Sequence, residues 1–194
     1  MIRNILILLT LICSLWFTGC SGHIPTEVYV PQNTMRYNNQ NVVEVSRFTY
    51  EPVAALGMKP NQLQNTAVGS IYTSRNVADL VRDATMRELE KTGLVLRNNA
   101  DTAIAGDVLE FKLDDLGYTV HWTYAIRYKI INKQTNETVF SREYRPEMMK
   151  TRKLFASPQT FKQFLDKIVL SGYNMFITDA AVVNLLDVPD NKDI

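Results

Sequence analysis

The chain has 194 residues, enough for one domain and an accessory segment but not two full cores. Hydrophobic residues at 46% and charged residues at 21% sit at the globular average and exclude wholesale disorder, collagen and coiled coil. With 21 basic and 20 acidic residues the net charge is +1, which lacks the footprint of a nucleic-acid binder, and two His and two Cys make most metal and thiol chemistry improbable.

Residues 1–19 read as a signal peptide. Arg3 supplies the positive start, and Ile5 to Trp16 is an apolar run broken only by Thr10, Cys13 and Ser14. A helix needs about 20 apolar residues to cross a bilayer, so this run is too short to span. It ends in Phe17-Thr18-Gly19-Cys20. Small residues directly before a cysteine resemble the bacterial lipobox, with Phe17 where leucine is usual. That resemblance implies a diacylglyceryl and N-acyl group on Cys20 and cleavage before it. The alternative is an ordinary secretory signal cut near Gly19. Removing residues 1–19 balances the charges at 20 each and takes away Cys13. With Cys20 acylated, no thiol remains for a disulfide, and the core alone must hold the fold. Ser21, where an aspartate would favour inner-membrane retention, implies by resemblance the outer membrane, periplasmic side.

Residues 20–41 are rich in Pro and Asn, with Pro25, Pro31, Asn33, Asn38, Asn39 and Asn41, and read as a flexible tether. Some 20 flexible residues would hold a domain roughly 25 Å from its anchor. Ile24, Val28, Tyr29 and Val30 alternatively form a short docked strand.

A single α+β domain is expected over 42–186. Val42 to Tyr50 is a strand closed by Pro52, and 51–73 is a long loop marked by Gly57, Pro60, Asn61 and Gly69. A helix over about 75–92 follows, capped by Ser74 or Asn76 and stopped by Gly93. Val77, Leu80, Val81 and Ala84 form its apolar stripe, and Arg82, Asp83, Arg87, Glu88 and Glu90 its wet side. Leu94 to Leu96 is a short strand, and Thr102 to Leu113 a longer one whose phase changes near Gly106, either at a bulge or a close backbone approach.

Tyr118 to Ile131 alternates strictly. Val120, Trp122, Tyr124, Ile126, Tyr128 and Ile130 point one way, the mark of an antiparallel sheet with one packed face. Asn132 to Asn136 turns the chain into a hairpin partner, Glu137 to Tyr144. Ser157-Pro158 then opens a helix over about 158–186, roughly 40 Å long, with Gly172 allowing a close crossing. Residues 187–194 form an acidic tail. The expected fold class is α+β: a two-layer sandwich, a mostly antiparallel sheet of about four to five strands, both helices on one face.

The order of lipobox, Asn/Pro segment, strand, long loop, Arg75-to-Leu89 helix, Gly93, three-strand meander and long last helix resembles the YajG-type family of Gram-negative lipoproteins. More loosely it is similar to the TolB N-terminal and curli-secretion-type envelope domains. The resemblance implies a periplasm-facing outer-membrane lipoprotein with a binding or assembly role.

Candidate chemistry is sparse. His121 lies near Asp114 and Asp115 on the wet side of the best strand, either a base oriented by a carboxylate or a surface histidine. Asp114-Asp115-Leu116-Gly117 reads as a turn rather than a calcium loop. No nucleophile motif, phosphate loop or metal-ligand spacing is present, so no cofactor and no enzymatic activity are expected. The alternative is an envelope hydrolase whose acid, base and nucleophile would be built from His121 and the 51–73 loop. Arg142, Arg145, Lys150, Arg152 and Lys153 face only Glu143 and Glu147, giving either a patch for an anionic envelope partner or a solvated loop. The expected partners are the membrane, through Cys20, and an envelope protein or lipid; a lipid-handling transport auxiliary would need an apolar groove beside Trp122, Tyr124 and Tyr128.

Overall fold

The computed structural model describes residues 22–26, 28–37, 41–66, 69–115, 117–152 and 157–186. The signal peptide, Cys20, Lys153 and the acidic tail lie outside the described residues.

Two long strands, β6 (Thr102–Asp114) and β7 (Thr119–Asn132), pair antiparallel along almost their whole length. On its other side β6 carries two strands end to end. Its first half pairs in parallel with β2 (Val42–Tyr50), and Lys112 and Leu113 pair in parallel with β3 (Gln62–Asn65). β7 is flanked in the same split manner by β8 (Glu137–Tyr144) and β9 (Met149–Arg152), both antiparallel to it. The sheet continues from β3 to β4 (Ile71–Thr73) and then β1 (Gly22–Ile24), and from β2 to β5 (Val95–Leu96).

This makes nine strands among the described residues rather than four to five. The sheet is mixed, because β1–β4, β2–β5, β2–β6 and β3–β6 are all parallel. The excess comes mostly from the segment expected to be a loop. Residues 51–73 contain helix α1 (Glu51–Leu56), stopped by Gly57 at φ 65°, together with β3 and β4. Strands of three or four residues are too short to leave a period-two signature.

One face of the sheet is covered by α2 (Val77–Lys91) and α3 (Pro158–Ile177). The alternation of β7 holds: Val120, Trp122, Tyr124, Ile126, Tyr128 and Ile130 are all buried. Phe176 stacks on Tyr128 at 4.3 Å between ring centroids, and Phe164 stacks on Trp122 at 6.3 Å. The phase change in β6 falls between Val108 and Glu110, at a bulge, and not at Gly106. Gly106 is instead a close approach. A Cβ there would come within 2.6 Å of the Phe48 ring. Gly172 likewise lets α3 lie against Tyr124, where a Cβ would sit 2.7 Å from the ring.

Ser157 caps α3 by accepting from the Thr160 N–H at 3.1 Å, with Pro158 next to it. The single helix expected to Leu186 is broken. α3 ends at Ile177, and α4 (Ala180–Leu186) leaves at 71°. Asp179 produces the break: its Oδ1 accepts from the Ala181 N–H, so it caps the new helix rather than continuing the old one.

The described part of the expected tether packs against the domain, although the strand there covers only Gly22–Ile24 and not Val28, Tyr29 or Val30. β1 pairs with β4, and residues 28–37 run across the helical layer as a strap. Ile24, Tyr29 and Tyr37 are buried, whereas Val28 and Val30 point outward. The described fold therefore reaches back to Gly22, twenty residues before the expected boundary.

Candidate functional site

The sheet face opposite the helices is a layer of charge. Register sets Asp107 opposite Arg127 and Arg127 opposite Glu143. Asp107 is 8% exposed; it accepts from Thr49 at 3.0 Å and pairs with Lys129 at 2.5 Å and Arg127 at 3.8 Å. Arg145 donates to Glu143 at 2.6 Å and Glu110 at 2.9 Å, and both carboxylates raise its guanidinium pKa, the hydrogen bond to Glu143 most. Lys133 reaches Glu44 at 2.5 Å at the far end of the face.

These pairings divide the five cations expected to form one patch. Arg142 is on the helix-covered side, because residues alternate across β8. It pairs with Asp179 beside the α3–α4 break and lies 5.4 Å from the Phe140 ring. The Tyr144 hydroxyl donates to the same carboxylate at 2.7 Å. Burial alone would raise the Asp179 carboxyl, but Tyr144, the Ala181 N–H and Arg142 together hold it below its ordinary value. Arg145 is folded onto the carboxylates of the open face. Lys150 and Arg152 are exposed and make no ion pair among the described residues. Lys153 lies outside those residues.

His121 is half-buried on the open face, opposite Asp114 on one side and Lys150 on the other. No group of three or more His, Cys, Asp or Glu among the described residues is arranged to hold a metal. Asp114 ends β6 and Gly117, at φ 84°, leads into β7, while Leu116 between them lies outside the described residues. The aromatic stripe is closed core. Trp122 is 0% exposed, with Phe161 and Phe164 of α3 over it, so no groove opens at that point.

Glu88, expected on the wet side of its helix, is instead a buried polar site. Glu88 is 0% exposed on α2, and its two oxygens hold the strap. One accepts from the Tyr29 hydroxyl at 2.5 Å and the Gln32 N–H at 2.9 Å; the other accepts from the Asn33 N–H at 2.8 Å. Burial first, and then the Glu88 carboxylate, push the Tyr29 hydroxyl far above its ordinary pKa. Lys91 donates to the Pro31 carbonyl at 2.8 Å, and the Tyr37 N–H to the Thr92 carbonyl at 2.8 Å. The signal was present in the periodicity. Glu88 follows Val77, Val81 and Ala84 on one apolar stripe, where a carboxylate needs partners.

Two depressions accompany these clusters. One, of about 20 Å³, lies between strap and helices, beside Thr26, Arg75, Asp83, Lys162 and Asp166. The other, of about 430 Å³, opens between α1, β3 and β6 beside Leu56, Met58, Gln62 and Lys112. At its floor the Gln64 side chain accepts from the Phe111 N–H at 2.9 Å, satisfying the edge of β6 in the gap between β2 and β3.

Neither a protein-family model nor a curated protein matches the sequence. Solved structures do match in fold. Protein XCC0632 from Xanthomonas campestris, of the DUF330 family, superposes with a TM-score of 0.61 at 14% identity, over 85% of this chain and 98% of that one. Weaker similarities extend to the hypothetical protein CT253 from Chlamydia trachomatis, with a TM-score of 0.49 at 11% identity over 77% and 96% of the two chains. A minor lipoprotein from Acinetobacter baumannii gives 0.45 at 12% identity over 76% and 96%. The chain thus has the α+β fold of the DUF330 structure, and the YajG type is not among these neighbours.

Proposed function

We propose that this chain is a lipid-anchored protein of the Gram-negative outer membrane, facing the periplasm, whose domain binds or helps assemble another envelope component without catalysing a reaction. The observation that carries the reading is the run from Arg3 through Ile5–Trp16 to Gly19-Cys20, followed two residues later by the first strand of the domain. The YajG-type resemblance supports the same address. The open face supports a binding role, because its carboxylates and cations are mostly paired with one another, leaving a broad polar surface over a rigid sheet. A lipid-handling role is less well supported, since the aromatic stripe it would use lies closed under α3.

Mass spectrometry of the N-terminal peptide from native membranes tests the anchor. The expected result is a peptide beginning at Cys20 that carries a diacylglyceryl group and an amide-linked acyl chain. Cys20→Ser is expected to lose that mass and leave the membrane fraction. A Cys20→Ser protein that still sediments with membranes, with unchanged acyl content, would overturn the reading.

A further inference from the structure

Strand register places four features at one end of the sheet. β7 starts there at Thr119, opposite Arg152 of β9, and the β6–β7 connection carries Tyr118, which is 94% exposed. α3 also starts there, with Phe161 and Phe164 over Trp122. β1 points its N-terminal side toward the same end by its own pairings. Gly22 is level with Ile71, Ile71 with Leu63, and Leu63, one residue before Gln64 opposite Lys112, is level with Phe111, three residues short of the end of β6. The small cavity agrees independently, since it sets Thr26 beside Lys162 and Asp166 in the first turns of α3. The N-terminal side of β1 therefore faces the end that displays Tyr118, Lys150 and Arg152.

The remaining distance is short. One residue separates Gly22 from Cys20, and a fully extended chain gains at most about 3.6 Å per residue. A cysteine within roughly 7 Å of a docked strand cannot hold the domain away from the headgroups. We propose that this end of the sheet rests on the phospholipid surface of the leaflet that holds the anchor. Tyr118 sits at the headgroup level, and Lys150 and Arg152 face the lipid phosphates. The proposal rests on acylation at Cys20, and it replaces a domain on a flexible leash with one held in a fixed orientation.

The chemistry of the surface fits that occupant. Tyrosine is enriched at membrane interfaces because its ring is apolar and its hydroxyl wet. Exposed Lys and Arg are attracted to anionic headgroups. The carboxylates of this end are engaged within the protein. Asp114 is 3.9 Å from Lys112 and accepts from the Thr66 hydroxyl, and Asp115 also has an interaction. The opposite end, some 12 residues away along β7, carries Val139 on β8 at 45% exposure, about 40 Å distant.

The test uses the full acylated protein in vesicles of phosphatidylethanolamine and phosphatidylglycerol. Because processing removes Cys13 and the lipid occupies Cys20, Tyr118→Cys or Val139→Cys provides one thiol for a nitroxide label. The label at 118 is expected to lose several-fold of its accessibility to a water-soluble nickel chelate on reconstitution, and the label at 139 to lose none. Adding Lys150→Glu with Arg152→Glu is expected to lower the docked population roughly tenfold. Equal nickel accessibility at 118 and 139 in a protein with confirmed acyl mass would overturn the docking proposal while leaving the anchor intact. Two labels per chain, one on Cys20, would overturn the anchoring reading and the docking proposal together.

Discussion

The strap over residues 28–37 and the basic segment over 142–152 make an instructive pair. Both are polar, irregular in sequence and lacking in sustained periodicity. The first has the composition of a free linker yet is fixed to the helical layer at several points, because one buried carboxylate collects a hydroxyl and two backbone N–H groups. The second has the composition of a concentrated positive patch, yet its cations go three ways. Arg142 turns to Asp179 beneath the sheet, Arg145 is held on the open face, and Lys150 with Arg152 remains exposed. Composition reports how many polar groups a segment has. Their partners, which decide whether the segment is ordered, come from distant elements.

Removing the Glu88 carboxylate would break the comparison most directly, since the strap would become the linker its composition suggests. Glu88→Ala leaves the Tyr29 hydroxyl and the N–H groups of Gln32 and Asn33 without their acceptor. A hydrogen bond to a charged group contributes about 1.5–3 kcal/mol, and a buried donor left unpaired costs about as much. The expected destabilisation is about 3 kcal/mol in urea unfolding, limited by release of the strap into water. Hydrogen exchange of residues 28–37 should accelerate while β6 and β7 stay protected. Unchanged exchange in the strap would show that Tyr37 and the β1 pairing hold it without Glu88. Glu88→Gln is expected to fall between, because its amide keeps one acceptor but turns an N–H₂ toward a backbone donor.

Asp179 offers a second, smaller test, on the basic segment. Its side chain is 8% exposed, and it joins Arg142 and Tyr144 of β8 to the start of α4. Asp179→Asn keeps the shape and the cap but loses the charge, for an expected cost of about 1–2 kcal/mol at neutral pH. The sign of the pH dependence follows from the lowered carboxyl. An unfolded aspartate titrates near 3.9, so this stabilisation is complete above that value and is lost as pH falls through the lower folded value. The gap in Tm between wild type and variant should therefore be constant above about pH 4 and close as the pH falls below it. A gap that stays constant through that fall would mean that the carboxylate's charge is not what the site uses.

How much was legible follows the length of each element. β7, with its alternation from Val120 to Ile130, and the turn at Asn132–Asn136 were readable because period and turn chemistry agree over many residues. Asn136 takes φ 56°, and the Asn132 side chain accepts from the N–H groups of Gln134 and Thr135. β3 and β4 were not, since strands this short exist only through their neighbours. The parallel pairings of β2 and β3 along one edge of β6 depend on chain routing that no local pattern encodes. In the candidate site, Lys150 and Arg152 were found as charges but not as the ones with no ion pair among the described residues, because pairing is decided by register. Glu88 was legible in position and missed in meaning: its place on the stripe of Val77, Val81 and Ala84 is a helical fact, whereas its partners lie more than 50 residues earlier.

Arg145 provides the finest test, because its pairs are well shaped and exposed at once. Its side chain is 58% exposed, and Glu143 and Glu110 are 35% and 29% exposed. Ion pairs in such surroundings contribute little, since water screens them and holding a long side chain in one rotamer costs entropy. Arg145→Ala is therefore expected to change stability by less than about 0.5 kcal/mol, with the difference shrinking as salt rises. It also leaves Glu110 and Glu143 without this shared partner, making that part of the open face more negative. Two effects can thus be separated in one variant. If Arg145 served an anionic partner, its loss would weaken partner recovery at unchanged Tm. If it serves chiefly to neutralise two carboxylates, recovery should stay level, and the double variant with Glu143→Gln should return stability toward wild type. The second outcome is expected, because both hydrogen bonds of Arg145 already run inward to the face, whereas Lys150 and Arg152 are exposed.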